Sequence, residues 1–131
     1  MKITGENYRD ETRLEHMLQA LERITKTAET MSKDRLYFED VVMRAIMYDF
    51  AVLGEAANNI TNEYCLMHPE IEWAQIAGFR HKLIHDYAGV DYGVLWEAIS
   101  TDVPKLLPQI RRLVSELTPV NELRQDLSEF K

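Results

Sequence analysis

The chain has 131 residues, 46% of them apolar and 28% charged, with a net charge of −7 and a single cysteine. This length suits one domain with a buried core, and the composition is that of a soluble globular protein rather than a disordered one. The acidic total excludes a general nucleic-acid coat protein, which would be basic, and a lone Cys65 excludes an internal disulfide and fits a reducing cytoplasm.

Met1 is followed by polar and charged residues with no apolar signal core. No run approaches the ~20 apolar residues of a membrane span. With 5 Gly and 4 Pro the turns must be few, which favours long helices.

Residues 1–9 read as a polar lead-in. A first helix is predicted from Asp10 to about Met31, because Leu14, Met17, Leu18, Leu21 and Ile24 recur at three- and four-residue steps. Asp10 or Thr12 could cap it. After a break at Ser32–Asp34, with Ser32 or Asp34 as a new cap, a second helix is predicted from the mid-thirties to about Leu66. Val42, Ala45, Ile46, Leu53, Ala56, Ala57 and Ile60 keep its period, and Met43 and Met47 fall at core spacing. Gly54 inside it costs about 1 kcal/mol against Ala and marks the close approach of another helix.

Pro69 ends that element. The stretch from Glu70 reads as a connection with one short turn through Ile76; Gly78 precedes a cationic string at 80–87, which is predicted to start a third helix that ends near Tyr87. Ala88-Gly89-Val90-Asp91 reads as a turn, with Gly89 as a left-handed cap and Asp91 as a fresh N-cap. A fourth helix starts with Val94, Leu95 and Ile99; Pro104 and Pro108 kink or restart it, and its stripe runs on to Leu117. The tail, 118–131, is polar. The expected fold is an all-α, up-and-down bundle of four to five helices, with one domain over 1–131 and its core at about 10–117.

One string stands apart: Arg80-His81-Lys82-Leu83-Ile84-His85-Asp86-Tyr87 concentrates cations, imidazoles and a phenol in an acidic chain. Arginine and lysine hold phosphate, and histidine moves protons near neutral pH. The chemistry this favours is metal-independent RNA cleavage, in which a ribose 2′-hydroxyl attacks the adjacent phosphate. His85 would act as general base or acid, and Arg80 would stabilise the extra charge on pentavalent phosphorus. On a continuous helix, however, five residues separate Arg80 from His85 by about 140°. They converge only if the helix ends between them or if two copies meet at a dimer axis. A surface arginine and a half-buried structural histidine would leave the same sequence trace.

His81 and His85 also have the i, i+4 spacing of helical metal ligands. Lys82, though, stands where a zinc-protease motif places its glutamate base, and Arg80 and Lys82 repel a dication. No metal or other cofactor is expected. Glu55, beside Gly54 and two alanines, could hold Arg80 or His85 in place or could face solvent. Trp73 and Trp96 read as core or interface anchors.

Arg80, four residues, His85, one residue and Tyr87 match the Arg-x4-His-x-Tyr signature of HepT-like toxins of the HEPN superfamily. The surrounding chain resembles that family as well, in Leu14-Glu15-His16-Met17-Leu18, Gly54-Glu55-Ala56-Ala57, Pro69-Glu70-Ile71-Glu72-Trp73, Ile76-Ala77-Gly78-Phe79-Arg80, Gly89-Val90-Asp91-Tyr92 and Leu95-Trp96. Many members carry Asn after the motif Arg where this chain has His81, which leaves acid and base open between His81 and His85.

The resemblance implies a HEPN-like, homodimeric, cytoplasmic ribonuclease toxin of a type II/VII-like toxin–antitoxin system, with its motif helices lining a shared cleft. It implies an MntA-type nucleotidyltransferase antitoxin that transfers AMP to Tyr87. Added phosphate and base beside Arg80 would compete for the cationic pocket. RNA is the expected substrate, cut selectively and salt-sensitively, with no DNA or membrane partner. The alternative is a non-catalytic helical module that binds a nucleotidyltransferase or a nucleotide.

Overall fold

The computed structural model describes the backbone of residues 3–85 and 89–117, with side chains from 10 to 84 and from 89 to 117. The expected polar tail at 118–131 lies outside these residues. Helix α1 runs Ile3–Ala28, α2 Lys33–Phe38, α3 Asp40–Asn58, α4 Asn62–Met67 and α5 Trp73–Leu83. Two-residue strands β1 (Ile84–His85) and β2 (Gly89–Val90) pair antiparallel, and α6 (Tyr92–Glu97), a π turn (Ala98–Asp102) and α7 (Val103–Ser115) follow without a break. The result is the expected all-α bundle: α1 packs on α3 and α7, and α3 also carries α5.

The apolar stripes of the sequence become the core. Leu14, Met17, Leu21 and Ile24 of α1 are fully buried against Ile46 and Leu53 of α3 and Ile110 and Leu113 of α7. Met43 is buried and Met47 packs beside it, as their spacing predicts. Trp73 is buried and donates its indole Nε1–H to the His68 carbonyl at 3.0 Å, so it anchors the start of α5. Burying a polar ring requires such a partner. No helix among the described residues is long and apolar enough to cross a membrane.

Several element boundaries differ from the sequence expectation. The lead-in is already helical from Ile3, and the single long second helix is three. Its first break is Glu39, with φ −105° and ψ 77°. The second is set by Asp10, which is not a cap but a buried residue within α1. Asp10 Oδ1 accepts the Thr61 N–H at 2.9 Å and Oδ2 accepts the Thr61 hydroxyl at 2.7 Å. A continuing helix would commit that N–H to Ala57, so the buried carboxylate diverts the chain. Thr61 then caps α4, accepting from the Tyr64 N–H, as Ser32 caps α2.

The third helix begins at Trp73 and not after Gly78, which sits inside α5, where a Cβ would meet open space. Gly89 is part of β2 and takes no left-handed conformation. Asp91 does cap α6, accepting the Val94 N–H at 3.0 Å. Pro104 stands in the first turn of α7, so the last helix restarts there, though without a gap. The proline has no N–H for the Ser100 carbonyl and would crowd it. The backbone widens instead into the π turn, where the Val103 N–H reaches Ala98 O, and the rod continues.

Candidate active site

Helix α5 carries the motif, and its position follows from close packing on α3. A Cβ on Gly54 would lie 3.3 Å from the Ile76 carbonyl oxygen and 3.4 Å from that of Ala77. Glycine here therefore permits the close approach that its place in the sequence predicts. One turn further on, the rings of Phe50 and Phe79 meet at 5.0 Å. The two contacts fix the register of an antiparallel pair and bring Arg80 into the last turn of α5.

The helix ends between Arg80 and His85. Ile84 has extended φ −108° and ψ 123° and donates its N–H to the Arg80 carbonyl. His85 then lies in β1, paired with Gly89, while the Asp91 N–H donates to the Leu83 carbonyl at 2.9 Å. His81 is helical and His85 is not, so the two no longer have i, i+4 helical spacing. The His85 side chain, Asp86, Tyr87 and Ala88 lie outside the described residues.

Arg80, His81 and Lys82 are exposed at the C-terminal end of α5, where the helix dipole favours cations. The other exposed arginines with described side chains, Arg23, Arg35, Arg44, Arg111 and Arg112, each pair with a carboxylate. Among the described residues Arg80 has no such pair, so its guanidinium is available to an anion. Glu55 is exposed and accepts from Asn59 Nδ2 at 3.1 Å; no ion pair joins it to Arg80.

A groove of about 490 Å³ opens between α3, α5 and the α6–α7 rod, floored by Phe50, Phe79 and Leu106. Four carboxylates, Glu70, Glu72, Glu97 and Asp102, line it against two lysines, Lys82 and Lys105. That balance repels a phosphate backbone, so the groove is a poor RNA cleft despite its size.

At the far end of α5, Glu70 accepts from Arg112 at 3.1 Å and lies 3.5 Å from His68 Nδ1. Its carboxyl is held below the usual range, first by its own backbone N–H and then by His68 and Arg112. Burial, followed by Glu116, Asp10 and Glu70, pushes the Tyr64 phenol up to about 12. Burial, then Asp10, also raises the Cys65 thiol. These groups sit away from the motif; at neutral pH Tyr64 and Cys65 keep their protons and Glu70 is ionised.

An all-α bundle that ends a helix between an unpaired arginine and a histidine, with α5 pressed onto a glycine of α3, defines a HEPN-type fold. Comparison with known proteins narrows the class. The ribonuclease HepT-like family matches residues 17–113, and the chain belongs to it. A protein of Caldanaerobacter subterraneus subsp. tengcongensis that carries an RNase name is 34% identical over 103 residues, spanning 79% of this chain and 92% of its own. One of Thermococcus cleftensis that carries the name ribonuclease HepT is 34% identical over 100 residues, spanning 76% and 91%. No solved structure matches the chain significantly.

Proposed function

We propose that this protein is a metal-independent endoribonuclease toxin of a toxin–antitoxin system, with Arg80 and His85 as its catalytic pair. Family membership and the RNase names of its relatives support ribonuclease activity. The observation that carries the site assignment is the end of α5 at Leu83. It removes the opposed-face geometry that a continuous helix would impose on Arg80 and His85.

In this mechanism the ribose 2′-oxygen attacks the adjacent phosphorus as its proton passes to an imidazole. The bond to the 5′-oxygen breaks, and that oxygen takes up a proton. The products are a 2′,3′-cyclic phosphate and a 5′-hydroxyl. His85 holds the motif position for proton transfer, and His81 stands close enough in sequence to share it. The unpaired Arg80 guanidinium stabilises the additional charge on phosphorus.

The resemblance further supports a homodimer, a cytoplasmic location and control by an MntA-type nucleotidyltransferase that AMPylates Tyr87. Val41 and Tyr48, exposed seven residues apart on the outer face of α3, offer a second copy an apolar contact. Expression of the wild-type chain is expected to arrest growth and degrade cellular RNA, whereas Arg80→Ala and His85→Ala do neither. Equal toxicity of His85→Ala contradicts the assignment. Incubation with the cognate antitoxin, ATP and Mg²⁺ should add mass in AMP steps, and Tyr87→Phe should stop it; unchanged mass gain in that variant moves the acceptor elsewhere.

A further inference from the structure

Three aromatic rings form a row on the surface beside the motif. Phe38, the last residue of α2, is 82% exposed, and Tyr37 is 60% exposed. Their rings meet edge-on with centroids 5.1 Å apart, and Tyr37 lies 4.9 Å from Tyr92, the first residue of α6. Tyr92 follows Asp91, whose N–H is bound to the Leu83 carbonyl, and the preceding strand pairs with the one that carries His85. The row thus starts in solvent and ends at the strand pair that holds the motif.

Aromatic side chains this exposed usually meet a ligand or a partner. Two ion pairs stand on α2 and α3 near them, Arg35 with Glu39 and Arg44 with Asp40. Arg80, His81 and Lys82, which make no ion pair among the described residues, cluster at the motif end. Exposed rings that run back to the strand pair of the motif, with exposed cations at the end of α5, suit a ligand that alternates flat π surfaces with negative charge. Unpaired RNA has that chemistry, whereas a duplex hides its base faces in its own stack.

We propose that Phe38, Tyr37 and Tyr92 form a base-stacking ledge that seats unpaired nucleotides flanking the scissile phosphate, so that the substrate is single-stranded RNA or a loop. Placement relative to a scissile phosphate rests on the ribonuclease reading; the stacking itself does not.

A single-stranded oligonucleotide of about ten nucleotides carrying 2′-O-methyl groups reports binding without cleavage, with a duplex of the same sequence beside it. Phe38→Ala and Phe38→Leu should each weaken single-strand binding roughly tenfold, and Phe38→Trp should retain it, with thermal unfolding unchanged because the side chain is exposed. Leucine keeps apolar bulk but loses the ring face, so it separates stacking from simple apolar contact. Equal affinity of Phe38→Leu and wild type overturns the proposal, as does a preference for the duplex. A change in sedimentation on Phe38→Ala also overturns it and assigns the rings to a protein contact. The predicted binding pattern in a protein that cuts no natural RNA would uphold the ledge and remove the ribonuclease reading.

Discussion

Arg80 and Tyr64 show how differently single residues can be read from sequence. The Arg80 side chain is exposed and makes no ion pair among the described residues, so its loss should shift folding stability by no more than about 0.5 kcal/mol while removing the proposed phosphate contact. Its candidacy was legible, because an uncommon residue spacing marks it. No sequence pattern marks Tyr64: only the fold places it 4.5 Å from His68, near Glu116, Asp10 and Glu70. Its phenol ionises at about 12 in the folded protein, against 10.0 for an ordinary tyrosine. A raised folded value contributes stability that is fully present below about pH 10 and is lost as pH rises through about 12. Thermal unfolding of Tyr64→Phe from pH 8 to 12 should therefore show a shallower alkaline decline than wild type. Parallel declines would show that Tyr64 contributes nothing to it. Glu55 marks a limit of motif reading, since its neighbours left burial and exposure both open and only the fold places it in solvent beside Asn59.

The helical elements were legible where an apolar period runs unopposed, as in α1 and α7, and less so where a distant residue intervenes. The break before α4 depends on Asp10, 51 positions away from Thr61, and no local pattern reports such a contact. The start of α5 depends likewise on burial of Trp73 and its bond to His68. The end of α5 could be anticipated only as one of two ways to bring Arg80 and His85 together. The α3–α5 contact is the element-scale feature on which the site depends most. Ala at position 54 gains about 1 kcal/mol of helix propensity. Its methyl, however, would press within 3.3 Å of a backbone carbonyl that cannot rotate away. Overpacking of this kind costs roughly 1–3 kcal/mol and displaces the neighbour. Gly54→Ala should thus lower the urea midpoint and reduce cleavage together, because α5 carries Arg80. A more stable variant with full activity would show that the close approach is not needed.

At the scale of the whole molecule, an acidic protein with a net charge of −7 confines attraction for RNA to a small surface. The groove beside α5 carries four carboxylates and leaves that surface to the exposed cations at the end of α5. The family and its helical class were legible from the motif and its context. The aromatic ledge was not, because Tyr37 and Tyr92 are 55 positions apart in the chain and meet only in the fold. The central claim is that Arg80 and His85 cut RNA through the 2′-hydroxyl without a metal. The most direct test is to map the product ends after purified wild type, Arg80→Ala and His85→Ala meet single-stranded RNA in excess EDTA. The account predicts 2′,3′-cyclic phosphate and 5′-hydroxyl ends from wild type, and cleavage reduced at least about a hundredfold in each variant. Cleavage that vanishes in EDTA, 5′-phosphate products, or undiminished cutting by His85→Ala would contradict it.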